Sequence, residues 1–326
     1  MTGLTLPALD GRTPLAFLAA LGVLRLVAEH TGHPARLAWS RRDCTAILHD
    51  AQPDIDTLVA DLSVIVAAIP DGGVLSQVPR DFPPPGEAPD KLRLTRSAFA
   101  AYAQQMAAAT DRPTVERWLA ALVTDLSVDD KGRVDISPYA APSGKQSTRT
   151  MLDKPLADIR KNPALLREAL AAWRRYPGVT GEYLDHRVLF DAVDAPDGKS
   201  AERGVPGATW LALMAYPLLR TTAAGGQPVS TCWQDFGRRA GRRMVYPLWS
   251  SPLDIPAVQA VLSHPVFAGA EPGMPPPAAE LLSVFWIGHA QRRRIPGRNF
   301  AGALAPVTNP ARPATATRPS RTRPSR

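Results

Sequence analysis

The chain has 326 residues, of which 45% are hydrophobic and 21% charged, with a formal net charge of +8. That is ordinary for a globular protein, and it is long enough for one large domain or two small ones around a substantial core. Two cysteines, Cys44 and Cys232, exclude a disulfide framework and predict reduced thiols in a cytoplasmic protein; no apolar run reaches the ~18–20 residues of a membrane span, and the N-terminus lacks the basic lead-in of a signal peptide. The charge is uneven: residues 301–326 hold five arginines and no acid, which leaves +3 on residues 1–300.

In chain order, a Gly11-Arg12-Thr13-Pro14 turn leads into a helix in which Leu15, Leu18, Leu21 and Leu26 stand beside Ala16, Ala19, Ala20 and Gly22. Thr13 fits the N-cap and Pro14 the first helical position. Gly22 costs roughly 1 kcal/mol of helix propensity against Ala, so it points to close approach by another backbone or by a ligand. Residues 36–40 and 44–49, either side of Arg41-Arg42-Asp43, predict a hairpin. A helix follows over 55–69, stopped by Pro70-Asp71-Gly72-Gly73. The proline-rich segment 80–90 predicts a surface loop or subdomain connection. Helices are predicted at 97–109 and 114–126, the second burying Val115, Trp118, Leu119 and Leu122, and then a polar loop over 129–150.

Helices resume at 152–160 and 163–175, the latter opened by Asn162-Pro163. A mixed region spans 181–206, and a helix from 208 to about 216 ends at Pro217. Residues 229–236 and 243–249 predict two strands joined by an arginine-rich tip, followed by a short helix at 256–263 and an apolar strand at 280–289. Beyond 300 the Ala/Thr/Pro/Arg composition predicts a disordered basic tail, placed at 305–326. Helices interspersed with antiparallel hairpins, without regular strand–helix alternation, predict a helix-rich α+β fold in one module over 1–304.

The run Gly11-Arg12-Thr13-Pro14-Leu15-Ala16-Phe17-Leu18-Ala19-Ala20-Leu21-Gly22-Val23-Leu24-Arg25-Leu26 resembles the N-terminal signature of proteins encoded in type I-G (formerly I-U) CRISPR loci. It is most similar to the accessory and large-subunit-like proteins of that subtype. The likeness continues through residues 34–40, with a second echo at Ser137-Pro138-Tyr139 and Ser143-Gly144-Lys145-Gln146-Ser147. The resemblance implies a part in a crRNA-guided antiviral complex, in contact with crRNA, target DNA or neighbouring subunits. It assigns no active-site residue. The chain is shorter than a full large subunit, which favours an accessory role.

Read residue by residue, enzyme signatures are few. Gly198-Lys199-Ser200 ends like a phosphate-binding loop, but Val193 stands where its first glycine belongs. Ser143 and Lys145 are two apart, where the penicillin-binding pattern needs three. The six histidines are scattered, and Asp185-His186 reads as a structural pair rather than part of a two-metal centre. No cofactor or metal site is expected. Polyanion contact is expected instead at Lys145 and Arg149 in a Ser/Gly/Thr-rich loop, at Arg238, Arg239, Arg242 and Arg243 in the strand-connecting tip, at Arg292, Arg293 and Arg294, and in the tail. Solvated charge is the bland alternative at each. Trp233 and Trp249 flank the tip and read as core residues before base-stacking ones. Sequence therefore predicts a non-catalytic subunit or accessory factor. The rivals are a metal-dependent nuclease or other hydrolase using acids such as Asp185, Asp191 and Asp194, and a protein-interaction scaffold.

Overall fold

The structure, a computed structural model, describes residues 3–84, 93–109, 112–140, 147–178, 183–188, 202–293 and 302–307. Strand β1 (Leu4–Asp10) turns at Gly11 into helix α1 (Pro14–His30). Asp10 ties the turn: its carboxylate accepts the Arg12 backbone N–H at 2.9 Å and the Arg12 guanidinium at 2.7 Å, while its carbonyl accepts the Thr13 N–H at 3.0 Å. Thr13 takes the N-cap position with extended backbone, but its hydroxyl donates back to the Asp10 carbonyl at 3.1 Å and caps nothing. Every residue from Pro14 to Val27 is buried, so α1 is the central helix of the fold.

Strands β2 (Arg36–Trp39) and β3 (Thr45–His49) form the expected hairpin and join β1 in an antiparallel sheet of order β1-β3-β2. Helix α2 (Ile55–Ala67) is capped by Asp54, whose carboxylate accepts the Thr57 N–H at 2.8 Å. Helix α3 (Arg96–Ala109) precedes α4 (Arg112–Leu122), which stops short of the predicted end because residues from Val123 onward form strand β4 (Val123–Val128). It pairs with β5 (Val134–Ile136), which lies inside the segment 129–150 expected to be loop. The cause is turn chemistry at Asp129: its carboxylate accepts the N–H groups of Lys131 at 2.9 Å and Arg133 at 3.0 Å and pairs with the Arg133 guanidinium at 2.7 Å, with Gly132 at φ +70°.

Helix α5 (Thr148–Lys161) starts at Ser147, whose hydroxyl accepts the Thr150 N–H at 3.2 Å. Helix α6 (Ala164–Ala171) is shorter than predicted, because Ala172 is already extended, and it is followed by the short strands β6 (Tyr176–Pro177) and β7 (Arg203–Gly204), which pair. Helix α7 (Pro206–Met214) leads through a 3₁₀ turn at Tyr216–Leu218 into strands β8 (Thr221–Ala224) and β9 (Gln227–Ser230). That hairpin, which the sequence pattern does not predict, turns on Gly225 and Gly226, both at positive φ as a tight two-residue turn requires.

Strand β10 (Trp233–Asp235), the short helix α8 (Gly237–Ala240) and strand β11 (Arg242–Trp249) come next, then helix α9 (Ile255–Leu262). Strands β12 (Val284–Arg293) and β13 (Ala303–Pro306) complete an antiparallel sheet of order β10-β11-β12-β13. Strand β12 begins later than predicted because Pro277–Leu282 forms a 3₁₀ turn, and β13 runs two residues into the segment expected as tail. The fold class is α+β, as expected, with antiparallel sheets.

Close helix crossings and an aromatic cluster organise the core. Helix α1 crosses α7 at Gly22: a methyl there would overlap the Leu211 carbonyl oxygen and stand 2.7 Å from its carbon. Gly207 meets the Leu165 carbonyl of α6 in the same manner. The close approach signalled by the mid-helix glycine is thus another backbone. Phe17 joins the two sheets, with its ring centroid 4.4 Å from Tyr246 and 5.8 Å from Trp39, and Trp249 donates its indole N–H to the Leu37 carbonyl at 2.7 Å. Arg25, buried at the end of α1, donates to the Met214 carbonyl at 2.5 Å and pairs with Glu29 at 2.6 Å. Burial pushes its pKa down, and these partners are what hold a cation inside the fold.

Candidate nucleic-acid interface

The arginine cluster lies at the connection between β10 and β11, whose register pairs Trp233 with Met244, Gln234 with Arg243 and Asp235 with Arg242. Gly237 and Gly241 hold positive φ at the two ends of α8. The Asp235 carboxylate accepts the Gly237 N–H at 2.8 Å, and the Gly241 N–H donates to the Gly237 carbonyl at 2.7 Å. This tight turn projects Arg238 and Arg239 into solvent, and among the described residues neither has a hydrogen bond or ion pair. Arg242 donates to the Pro228 carbonyl at 2.8 Å, and Arg243 stacks over the Phe236 ring at 5.2 Å. Four guanidiniums therefore stand on and beside one turn with the single carboxylate of Asp235 at its base, so the turn carries a net positive charge.

The other expected contacts separate into two kinds. Arg149 donates to the carbonyls of Arg80 at 2.6 Å and Phe82 at 3.1 Å, and also to that of Gly72. It clamps the loop that plants Phe82 in the core against Trp118; of the segment 80–90 expected as a surface loop or subdomain connection, residues 80–84 are irregular with Arg80 and Asp81 exposed, and 85–90 lie outside the described residues. Arg292 donates to four carbonyls, those of Tyr183, Gly302, Pro138 and Tyr139, at 2.7–3.2 Å. Both guanidiniums serve the fold by holding backbone carbonyls from distant segments. Arg293, next along β12, points to the opposite face and is exposed. Lys145, Arg294, Gly198-Lys199-Ser200 and the segment 308–326 lie outside the described residues.

Asp185 pairs with Arg175 at 2.6 Å and accepts the Arg187 N–H at 3.0 Å, while His186 Nδ1 stands 3.9 Å away. A metal at Asp185 would compete with that ion pair; Asp191 and Asp194 lie outside the described residues. Among the described residues no group of three His, Cys, Asp or Glu is placed to hold a metal. The Cys232 thiol is pushed up to about 12 by burial, and burial also raises Cys44. Trp233 and Trp249 are buried.

Sequence reasoning missed a groove of about 890 Å³ beside the turn. The segments Leu218–Asp235 and Gln259–Gly269 both contribute to its walls, with Val245 of β11 between them. Gln234 fixes one wall to the other: its carboxamide donates to the Phe267 carbonyl at 2.9 Å and accepts the Gly269 N–H at 2.8 Å. Its walls come from segments distant in sequence, so no local pattern announces it.

No protein-family model matches the chain, and no curated protein is significantly similar to it. Among the described residues no helix is long and apolar enough to cross a membrane.

Proposed function

We propose that this protein is a non-catalytic subunit or accessory factor of a type I-G-like CRISPR antiviral system, cytoplasmic, which contacts crRNA or target DNA through the arginine turn between β10 and β11 and docks on neighbouring effector subunits. The observation that carries the nucleic-acid part is the turn itself: Arg238 and Arg239 are exposed and free of acidic partners, and Arg242 and Arg243 stand beside them. Guanidiniums left unneutralised on a rigid turn offer bidentate donors to phosphate oxygens without first breaking an ion pair. The CRISPR part is supported by the resemblance of the Gly11–Leu26 segment. The structure adds a physical reason for that pattern: small residues let α1 meet α7 backbone to backbone, and Arg25 secures the end of α7.

The experiment is recovery of the tagged chain from cells that express a type I-G effector operon and its array. The wild-type chain is expected to carry crRNA or target DNA together with effector subunits. The variant with Arg238, Arg239, Arg242 and Arg243 all changed to Ala should lose the nucleic acid. Recovery of neither nucleic acid nor effector subunits would overturn the proposal, and recovery of subunits alone from both chains would favour the scaffold.

A further inference from the structure

We infer that the groove beside the arginine turn receives an unpaired nucleobase, so that the interface selects single-stranded over double-stranded nucleic acid. This rests on the nucleic-acid reading above and specifies its ligand.

The sheet register links turn and groove. Residues directly opposed in an antiparallel pair share a face, as do alternate residues along a strand. Gln234, Arg243 and Val245 therefore lie on one face of β10–β11. Gln234 and Val245 line the groove, which places Arg243, stacked over Phe236, at its edge. From the other strand face, Arg242 reaches the Pro228 carbonyl, and the next residues, Val229 and Ser230, also line the groove. The Cα of Arg238 is three residues from groove-lining Asp235, so at most about 11 Å away.

The groove has the chemistry of a base site. Its volume of about 890 Å³ falls within the roughly 300–1,000 Å³ of cavities that enclose small organic ligands. Trp233, Val245, Leu262 and Phe267 give it a buried apolar lining. Spare polar capacity sits at the rim. The Gln259 carboxamide is partly exposed and has no hydrogen bond among the described residues, so it can present donors and an acceptor to a base edge. The exposed His264 ring uses Nδ1 to accept the Val266 N–H at 3.2 Å, which leaves Nε2 as the free donor. The guanidinium of Arg220 is exposed and unpaired at the same rim.

Charge selects the occupant. Among the described residues Asp235 is the one carboxylate lining the groove, and it accepts the Gly237 N–H; Arg220 lines the same groove, and Arg242 stands opposite Asp235 in the sheet register with Arg243 next along β11. An anionic ligand with a flat, hydrogen-bonding ring meets both halves of this surface: the ring lies on the apolar lining and the phosphates on the arginines. Duplex bases are stacked and paired, so a base can enter such a groove only from a single strand or after being flipped out.

The test is a set of fluorescence-anisotropy titrations on the full chain with three probes: a single-stranded oligonucleotide, the same strand made abasic, and the duplex. A base held against an apolar lining contributes about 5- to 100-fold in affinity, so the abasic strand and the duplex are expected to bind weaker than the intact strand by that factor. Ala260→Trp fills the groove from the exposed face of α9. It should erase the preference for intact over abasic strand while leaving abasic binding as in wild type. Gln259→Ala with His264→Ala should reduce the preference without filling the groove, and thermal melts establish that the variants fold. Equal binding of intact and abasic strands, with both abolished when the four arginines become Ala, would refute the base site and leave the arginine interface standing. No binding of any probe by the folded chain would overturn both.

Discussion

Replacing Gly22 with Ala tests the packing that organises the core. A Cβ at this position overlaps the Leu211 carbonyl oxygen and lies 2.7 Å from its carbon and 3.3 Å from the Ala215 nitrogen. These are backbone atoms of α7 and the turn after it, so no side-chain rotamer change relieves the contact; the two helices must separate. Helix propensity alone would favour Ala by about 1 kcal/mol. Overpacking a close-packed core costs about 1–3 kcal/mol and occasionally more, and a clash with helix backbone belongs at the upper end. A net loss of about 2 kcal/mol is expected for Gly22→Ala, and a larger one for Gly22→Leu. At roughly 2–4 °C per kcal/mol for a domain of this general size, thermal melts followed by circular dichroism should show Tm falling by several degrees. Urea midpoints should fall in parallel. Gly207→Ala should behave the same way, because its Cβ would meet the Leu165 carbonyl. A melting temperature for Gly22→Ala equal to or above that of wild type would refute the backbone-on-backbone crossing.

Arg292→Met leaves four carbonyls without their donor and should destabilise the fold by about 2–4 kcal/mol, read by urea denaturation, while nucleic-acid affinity of the folded variant stays within twofold of wild type. His289 is buried, and burial, opposed by the backbone at Ala270 and by Glu271 and helped by nearby Arg243, lowers its pKa. Burial lowers His30, His49 and His186 in the same direction. Below the unfolded value of about 6.5 the unfolded chain binds more protons than the folded one, so stability is full above that pH and declines as pH falls beneath it. Urea midpoints across this range should drop, and His289→Leu should flatten the decline; an identical slope would remove His289 from the account. Cys232, with its thiol pushed up to about 12 by burial, should resist maleimide at pH near 8 in the native state and react on unfolding.

The sequence disclosed most where one signal acted alone. Thr13-Pro14 marked the start of α1, and Gly22 marked the tightest helix crossing, because only a residue without a Cβ fits there. The hairpin around Arg41-Arg42-Asp43 and the arginine tip at 237–242 were legible from strand patterns broken by polar residues. Competing signals hid other elements. The apolar spacing of Val115, Trp118 and Leu122 runs into Val123 without a break, so helix and strand could not be divided until β5 supplied a partner. For the arginines, composition could not tell a carbonyl clamp from an exposed cation: Arg292 gathers carbonyls from residues 138, 139, 183 and 302, which only the tertiary fold assembles. The groove is built from distant segments in the same way and has no local signature.

The central claim is that the arginine turn, and not the tail, binds nucleic acid. It is tested most directly by the salt dependence of affinity for a single-stranded probe, compared among wild type, a chain truncated after residue 307 so that β13 is kept, and the variant with Arg238, Arg239, Arg242 and Arg243 changed to Ala. The logarithm of affinity should fall linearly with the logarithm of salt concentration in wild type and in the truncated chain. Removing the four arginines should weaken binding and flatten that slope by roughly 0.7–0.9 for each phosphate no longer neutralised. Binding that vanishes on truncation alone, or a slope unchanged when the four arginines are gone, would contradict the account.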